Sequence, residues 1–75
     1  MACLVFQARL RAARDRWDWT QHQLAEAAGL SRGTISHYES GVSTPSLRNF
    51  DLLVSALGVS PDYLLGYSDF PQRSS

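Results

Sequence analysis

The sequence predicts an all-α protein of about five short helices around one small core. Apolar residues recur at helical spacing, and glycine, proline and small polar residues divide the chain into segments of helix length. No stretch of four or more residues alternates apolar and polar with the β-branched enrichment of a strand. With 75 residues, the chain buries only roughly 60% of its unfolded surface, which suffices for a single core.

The first predicted helix runs from about Leu4 to Arg16. One face of it carries apolar residues at positions i, i+4, i+7 and i+11, namely Phe6, Leu10, Ala13 and Trp17.

The second and third predicted helices begin after the N-cap residues Thr20 and Ser31. Gly29 and Gly41 stand just past their ends, where a residue with a positive φ is common. Their inward faces are predicted to consist of Leu24, Ala25, Ala28, Ile35 and Tyr38.

The fourth predicted helix begins after Ser46 and ends at Gly58. A short fifth helix follows Ser60, with Pro61 at its first position and Asp62 in its first turn. The apolar residues of the two helices are Leu47, Phe50, Leu53, Val54 and Leu57, then Tyr63, Leu64 and Leu65.

Charge and cysteine content exclude several classes of function. Seven arginines balance seven acidic residues, so the zero net charge gives no overall attraction to nucleic acid or to a membrane surface. A single cysteine, Cys3, excludes an intramolecular disulfide, and with two separated histidines it makes no zinc site. The apolar run Ala2–Phe6 is far too short to cross a membrane. We expect a reduced, cytoplasmic protein without metal, cofactor or small-molecule substrate.

The centre of the chain carries the most informative pattern. Two capped helices are separated by a three-residue turn that starts with Gly29, and the small Ala25 lies where the helices would cross. This is the layout of a helix-turn-helix, whose second helix enters the major groove of DNA. Arg32, in the first turn of that helix, has a planar guanidinium that can bond O6 and N7 of one guanine.

The segment from about Ala8 to Gly66 contains a series of short motifs, namely Arg9-Leu10-Arg11, Thr20-Gln21 with Leu24-Ala25, Gly29-Leu30-Ser31, Ile35 with Tyr38-Glu39 and Gly41, Pro45-Ser46-Leu47, Leu57-Gly58-Val59-Ser60 and Asp62-Tyr63-Leu64-Leu65-Gly66. In these residues the segment resembles the lambda-repressor and Cro type of helix-turn-helix domain, the XRE family. The resemblance implies a compact five-helix, lambda-repressor-like DNA-binding domain over residues 1–66. Residues 67–75 would then form a tail available for dimerisation.

The resemblance also implies DNA-binding roles for particular residues. Gln21 stands where the family has a glutamine that bonds a phosphate and can brace a recognition side chain. The solvent-facing positions of the recognition helix are held by Arg32, Gly33, Ser36 and His37, with Thr34 nearby, and Ser43 and Thr44 belong to the following loop. Gly33 either permits a close approach or leaves its base unread. For His37 two interpretations stay open: it contacts DNA, or it is an exposed side chain without a role.

The sequence departs from the family pattern at three places. The loop segment Val42-Ser43-Thr44 is uncharged where relatives often carry lysine or arginine, Asp18 stands where glycine is usual, and Trp17 stands where a polar residue is common. The uncharged loop predicts few ion pairs with phosphates and a shallow salt dependence of binding.

Several other residues are interpreted as structural. The family pairs Glu39 with an arginine of the first helix, and Arg14 is the matching position. Trp19 takes a core position, whereas Trp17 fits either the edge of the core or an interaction patch. A solvated face is expected from Arg9, Arg11 and Arg16, with one or two of them within reach of the DNA backbone that flanks the site.

The predicted function is a non-enzymatic regulator, a repressor that binds double-stranded DNA by sequence. Ser36, His37 and Glu39 lie on one short helix and cannot form a nucleophile–base–orienter line. One recognition helix reads too few base pairs for specificity in a genome, so we expect a homodimer on a palindromic operator.

Two alternatives stay open. The same fold can serve as a protein-interaction module, such as an antitoxin or a bridging factor, and exposed Trp17, Tyr67 or Phe70 would favour that. The two C-terminal aromatic residues either fold back on the core or take part in a dimer contact. The second alternative is that the chain is the N-terminal domain of a longer regulator.

Overall fold

A computed structural model describes residues 4–71 of the chain, so Cys3 and residues 72–75 of the predicted tail lie outside the described residues. Five α-helices follow one another as α1 (Leu4–Arg16), α2 (Gln21–Ala28), α3 (Arg32–Ser40), α4 (Leu47–Leu57) and α5 (Pro61–Leu65). The predicted all-α, five-helix fold is confirmed. Within the described residues, every helix is too short or too polar to span a bilayer.

The ends of α2 to α5 follow from capping groups that the sequence places there. The hydroxyls of the N-caps Thr20, Ser31, Ser46 and Ser60 each accept a hydrogen bond from the backbone N–H three residues later. Thr20 forms a complete capping box, because its own N–H donates to Oε1 of Gln23 at 2.8 Å. Each of the four helices ends at a glycine with a positive φ.

In the turn after α1, Asp18 adopts the left-handed conformation that glycine adopts after the other helices. Its φ of 58° is the only positive value of a non-glycine residue in the described part of the chain. The N–H of Asp18 donates to the Asp15 carbonyl at 2.9 Å, and that of Trp19 donates to the Arg14 carbonyl at 3.3 Å. An aspartate tolerates this conformation better than most residues but still meets a steric cost that glycine avoids.

The core draws on all five helices. Its most deeply buried large side chains are Leu10, Leu24, Ile35, Leu53, Val54 and Leu64. The ring of Phe6 packs edge-on against Tyr38, with 6.5 Å between centroids, and lies 6.1 Å from Phe50. Helix α3 packs on α1 and α2, which leaves its opposite side at the surface.

Two positions predicted on apolar helix faces lie outside the core. Leu47 is 86% exposed and Leu65 is 44% exposed. Both line an apolar groove of about 400 Å³, whose lining also includes Phe6, Pro45 and Phe50. Helical spacing predicts which face is apolar, but not how far along that face the neighbouring helices extend.

Arg9 does not belong to a solvated face, contrary to the prediction. Its guanidinium carbon lies 4.4 Å from the centroid of the Tyr63 ring. Its Nη1 donates to the Ser68 carbonyl and its Nη2 to the Asp69 carboxylate, each at 3.0 Å. Arg9 therefore holds the segment after α5 against α1.

The backbone after α5 folds back on the domain while its aromatic rings stay exposed. The N–H of Tyr67 donates to the Asp62 carbonyl at 2.8 Å, and that of Ser60 donates to the Pro71 carbonyl at 2.9 Å. The side chains of Tyr67 and Phe70 are nevertheless 81% and 77% exposed. The segment is thus held in place with two apolar rings turned to solvent.

Asp18→Gly is expected to raise the free energy of unfolding by about 0.5–1 kcal/mol, because glycine adopts a positive φ without the Cβ penalty. Urea denaturation measures the change. Asp51→Gly, at an exposed position inside α4, is the control and is expected to cost about 0.3–0.5 kcal/mol. Equal losses from both variants would show that the left-handed conformation of Asp18 carries no cost.

Candidate nucleic-acid interface

A three-residue turn, Gly29-Leu30-Ser31, joins α2 to α3. Gly29 has a φ of 75°, and the N–H of Leu30 donates to the Ala25 carbonyl at 2.9 Å. Leu30 packs against the core, and Ala25, which is 2% exposed, takes little space where α2 meets α3. The turn thereby brings the first residues of α3 to the surface of the domain.

The outer side of α3 and the loop after it hold most of the residues predicted to contact DNA. Arg32, Gly33 and His37 are exposed and Ser36 is half-buried, whereas Ile35, Tyr38 and Glu39 face the core. Ser43 and Thr44 are exposed in the loop between α3 and α4. Among residues 4–71, no acidic side chain pairs with Arg32, whose guanidinium is free to bind a ligand.

Thr34 takes part in the cap of its own helix. Its N–H donates to Oγ of Ser31 at 3.1 Å, and the two hydroxyl oxygens lie 2.7 Å apart. The Thr34 hydroxyl is therefore shared with the N-cap residue Ser31, and it is less available for a DNA contact than the Arg32 guanidinium.

The carboxylate of Glu39 is buried beneath the exposed side of α3, with 2% of the side chain accessible. Arg14 donates to it through Nε at 2.7 Å and through Nη2 at 3.1 Å, in a bidentate pair. Gln21 donates through Nε2 at 3.2 Å. The pair expected between Arg14 and Glu39 thus lies at the junction of α1, α2 and α3.

Arg14 stays charged across the neutral pH range. Its hydrogen bond to Glu39 raises the pKa of Arg14 above the ordinary value of an arginine, although burial acts in the opposite direction. A base with a raised pKa contributes stability fully below its unfolded pKa, and that stability is lost only as the pH rises through the folded pKa. Arg14 therefore adds no pH dependence to stability at neutral pH.

Gln21 is turned inwards more than the resemblance implied. It is half-buried, and one N–H of its amide is bonded to Glu39. An amide has two N–H donors, so a second one remains for a phosphate. Gln21 therefore links the start of α2 to the inner side of α3.

Arg11 is partly exposed but not merely solvated, which corrects the prediction. Its Nε lies 3.6 Å from Oε1 of Glu39, and its Nη2 donates to the Glu39 carbonyl at 3.4 Å. A positive charge near the last carbonyls of a helix is favourable, so Arg11 supports the C-terminal end of α3.

The two tryptophans stack on each other, with 5.1 Å between ring centroids and an angle of 14°. Trp19 packs against the core, as predicted, whereas Trp17 is 52% exposed. The Nε1 of Trp17 donates to the Leu57 carbonyl at 2.8 Å, which satisfies one of the carbonyls left free at the end of α4. Trp17 therefore lies at the edge of the core with one side open to solvent.

Two residues beside the interface were not predicted. The Nδ2 of Asn49 donates to the Tyr38 hydroxyl at 2.9 Å, which ties the first turn of α4 to α3. Arg48 is exposed in that same turn, directly after the loop. Its place two residues after the N-cap Ser46 is a signal in the sequence that could have suggested a phosphate contact.

Comparison with known proteins identifies the family. A family model described as Helix-turn-helix matches residues 10–64. The chain belongs to this family. The family is a DNA-binding fold of the lambda-repressor type and not an enzyme fold, in agreement with the sequence analysis.

The curated relatives are HTH-type transcriptional regulators. YobD of Bacillus subtilis is 36% identical over 67 residues, which are 89% of this chain and 60% of YobD. PrtR of Pseudomonas aeruginosa is 44% identical over 59 residues, which are 79% of this chain and 23% of PrtR. The chain thus spans less than two thirds of the length of these relatives.

Two similar solved structures are regulators of the same architecture. The P22 c2 repressor protein, in complex with a synthetic operator, has a TM-score of 0.78 at 35% identity, covering 84% of this chain and 96% of the repressor. The restriction-modification controller protein C.AhdI from Aeromonas hydrophila has a TM-score of 0.77 at 34% identity, covering 81% and 92%. Both confirm the lambda-repressor-like fold.

Glu39→Gln is expected to lower the free energy of unfolding by about 1.5–3 kcal/mol, because it replaces the charged acceptor of the half-buried Arg14 guanidinium by a neutral amide. Arg11→Ala removes the more exposed partner, at 58% accessibility, and is expected to cost less than about 1 kcal/mol. Urea denaturation of both variants gives the comparison. If both variants lose a similarly small free energy of unfolding, the buried carboxylate of Glu39 is not central to the packing of the three helices.

Proposed function

We propose that the protein is a cytoplasmic transcriptional repressor that binds double-stranded DNA by sequence through α3. The observation that carries the proposal is an exposed arginine, Arg32, in the first turn of the second helix of a helix-turn-helix, which pairs with no acidic side chain of residues 4–71. A similarly folded protein, the P22 c2 repressor, has been solved with an operator.

The proposed contacts divide into base and phosphate contacts. Arg32 bonds O6 and N7 of a guanine, and Gly33, Ser36 and His37 face the neighbouring bases. The phosphates are contacted by the second N–H of the Gln21 amide, by the hydroxyl of Thr34, and by Ser43 and Thr44 in the loop. We add Arg48, which follows that loop, to the phosphate contacts.

A homodimer on a palindromic operator is part of the proposal. One recognition helix covers too few base pairs for specificity, and a two-fold axis places two half-sites roughly 34 Å apart. The exposed apolar surface of α4, α5 and the following segment supports this arrangement. It includes Leu47 and Leu65 of the groove and the rings of Tyr67 and Phe70.

Binding is expected to depend only weakly on salt. Arg32 and Arg48 are the two arginines placed at the proposed interface, and the loop between their helices carries no charge. For a dimer, we expect the logarithm of the binding constant to fall with the logarithm of salt concentration with a slope no steeper than about −4. Mobility shifts at several salt concentrations measure the slope, and a value near −8 would require cations that the proposal omits.

Arg32→Ala is expected to lose about 1–3 kcal/mol of binding free energy and to relax preference at one base pair of each half-site. Selection from random duplexes first gives the operator, and mobility shifts then compare the variant with wild type. Arg16→Ala, an exposed arginine of α1 beside the end of α4, is the matched control and should leave binding unchanged. Equal affinities for wild type and Arg32→Ala would refute the assigned role.

A protein-interaction module is the second candidate, and exposed aromatic side chains favour it. Trp17, Tyr67 and Phe70 are 52%, 81% and 77% exposed, so their rings are accessible to a protein partner. In that case the selection would enrich no duplex motif, and only weak, salt-sensitive DNA binding would remain.

A further inference from the structure

His37 is exposed on the outer side of α3, and its imidazole ring has no partner among residues 4–71. No acidic side chain of those residues lies within ion-pair distance of it, and neither ring nitrogen takes part in a hydrogen bond. The backbone carbonyl of His37 accepts from the hydroxyl of Ser40 at 3.3 Å and from the N–H of Val42 at 2.9 Å. The end of α3 therefore fixes the backbone of His37, while both ring nitrogens stay open to a ligand.

Helices α1 and α2 pack on α3, and their charged groups beside it are engaged with other partners. Arg11 and Arg14 of α1 pair with Glu39 on the inner side of α3. Glu26 of α2 lies 2.7 Å from Nε2 of His22, one turn away on the same helix. Neither carboxylate is thus left for the free imidazole on the outer side.

The other charged side chains around His37 come from α3 itself and from α4. Arg32 on the same helix and Arg48 in the first turn of α4 are both exposed cations. Asp51, further along α4, forms no ion pair with His37. In the free protein, a protonated His37 therefore has no opposite charge beside it, and a negatively charged ligand would supply one.

DNA is a ligand that favours the protonated form of an exposed histidine. A duplex carries one negative charge per ~1.7 Å of its axis, and guanine O6 and N7 are further acceptors in the major groove. An imidazolium is attracted by that charge and donates from both ring nitrogens, whereas a neutral imidazole has a single N–H. Since the chain has no lysine and the proposed interface has Arg32 and Arg48 as its arginines, a third cation there is a large relative change.

We propose that DNA binding takes up a proton at His37 of each protomer, so that the protein binds its operator more tightly as the pH falls. This inference rests on the proposed DNA-binding function. The proton comes from solvent and makes the imidazole a cation, which donates a hydrogen bond to a phosphate or base acceptor of the duplex. By linkage, the gain in affinity is present in full where His37 is protonated before binding, and it is lost as the pH rises through the titration of His37 in the complex.

The test measures affinity at two pH values for wild type and for one variant of each of the two histidines in the chain. An operator is selected from random duplexes at about pH 6, and mobility shifts at constant salt then compare about pH 6 with about pH 8, the range in which histidine titrates. His37→Gln keeps a polar side chain that does not titrate. His22→Gln is the matched control, because a protonated His22 is already paired with Glu26 in the free protein. Circular dichroism shows that each variant is folded at both pH values.

Wild type and His22→Gln are expected to bind the operator at least about tenfold more tightly at the lower pH, with each protomer of a dimer contributing about threefold. His37→Gln is expected to bind with affinities within about twofold of each other at the two pH values, because its side chain carries no titrating group. An unrelated duplex distinguishes the two kinds of acceptor. A phosphate, which every duplex offers, gives the same pH dependence there, whereas a base edge gives it on the operator alone.

The outcomes that overturn the inference differ from those that overturn the proposed function. If wild type binds a selected operator equally well at both pH values, DNA binding takes up no proton, and the regulator proposal stands. If His37→Gln keeps the pH dependence of wild type, the proton is bound elsewhere and the assignment to His37 is wrong. If wild type selects no motif at all, the proposed function fails and the inference with it.

Discussion

The buried carboxylate of Glu39 is the interaction on which the arrangement of the first three helices depends. A carboxylate with 2% accessibility is tolerated only because donors from α1 and α2 surround it. Since Arg14 and Gln21 come from different helices, satisfying this one charge also fixes the orientation of α3. Hydrophobic contacts alone would bring the helices together with less directional preference, because hydrophobic attraction has no preferred direction.

This inner constraint leaves the outer side of α3 free to vary. The core residue Ile35 and the buried Glu39 define how the helix sits, while Arg32 and His37 make no contribution to the core. Their identities can therefore follow the ligand without disturbing the fold. Gly33 is a stronger case, because glycine is a poor helix former and stands inside a helix.

The sequence was sufficient for what depends on local chemistry. Caps at Thr20 and Ser31 predict where helices begin because the hydrogen bonds concerned span three residues. The sequence was not sufficient for contacts between distant segments. The hydrogen-bond partners of Arg9 and Trp17 lie 40 to 60 residues away along the chain, and no periodic pattern in the sequence indicates such partners. The site residues on α3 were predictable from the motif, whereas the inward bond of Gln21 depends on how three helices meet.

The stacked tryptophans have a practical consequence for anyone who follows this protein optically. Both tryptophans of the chain are in this one contact, which joins the corner between α1 and α2 to the last carbonyl of α4. Fluorescence excited in the tryptophan band therefore reports on that corner alone. Circular dichroism averages over all helices, and a difference between the two signals during heating would reveal the corner opening before the rest of the domain.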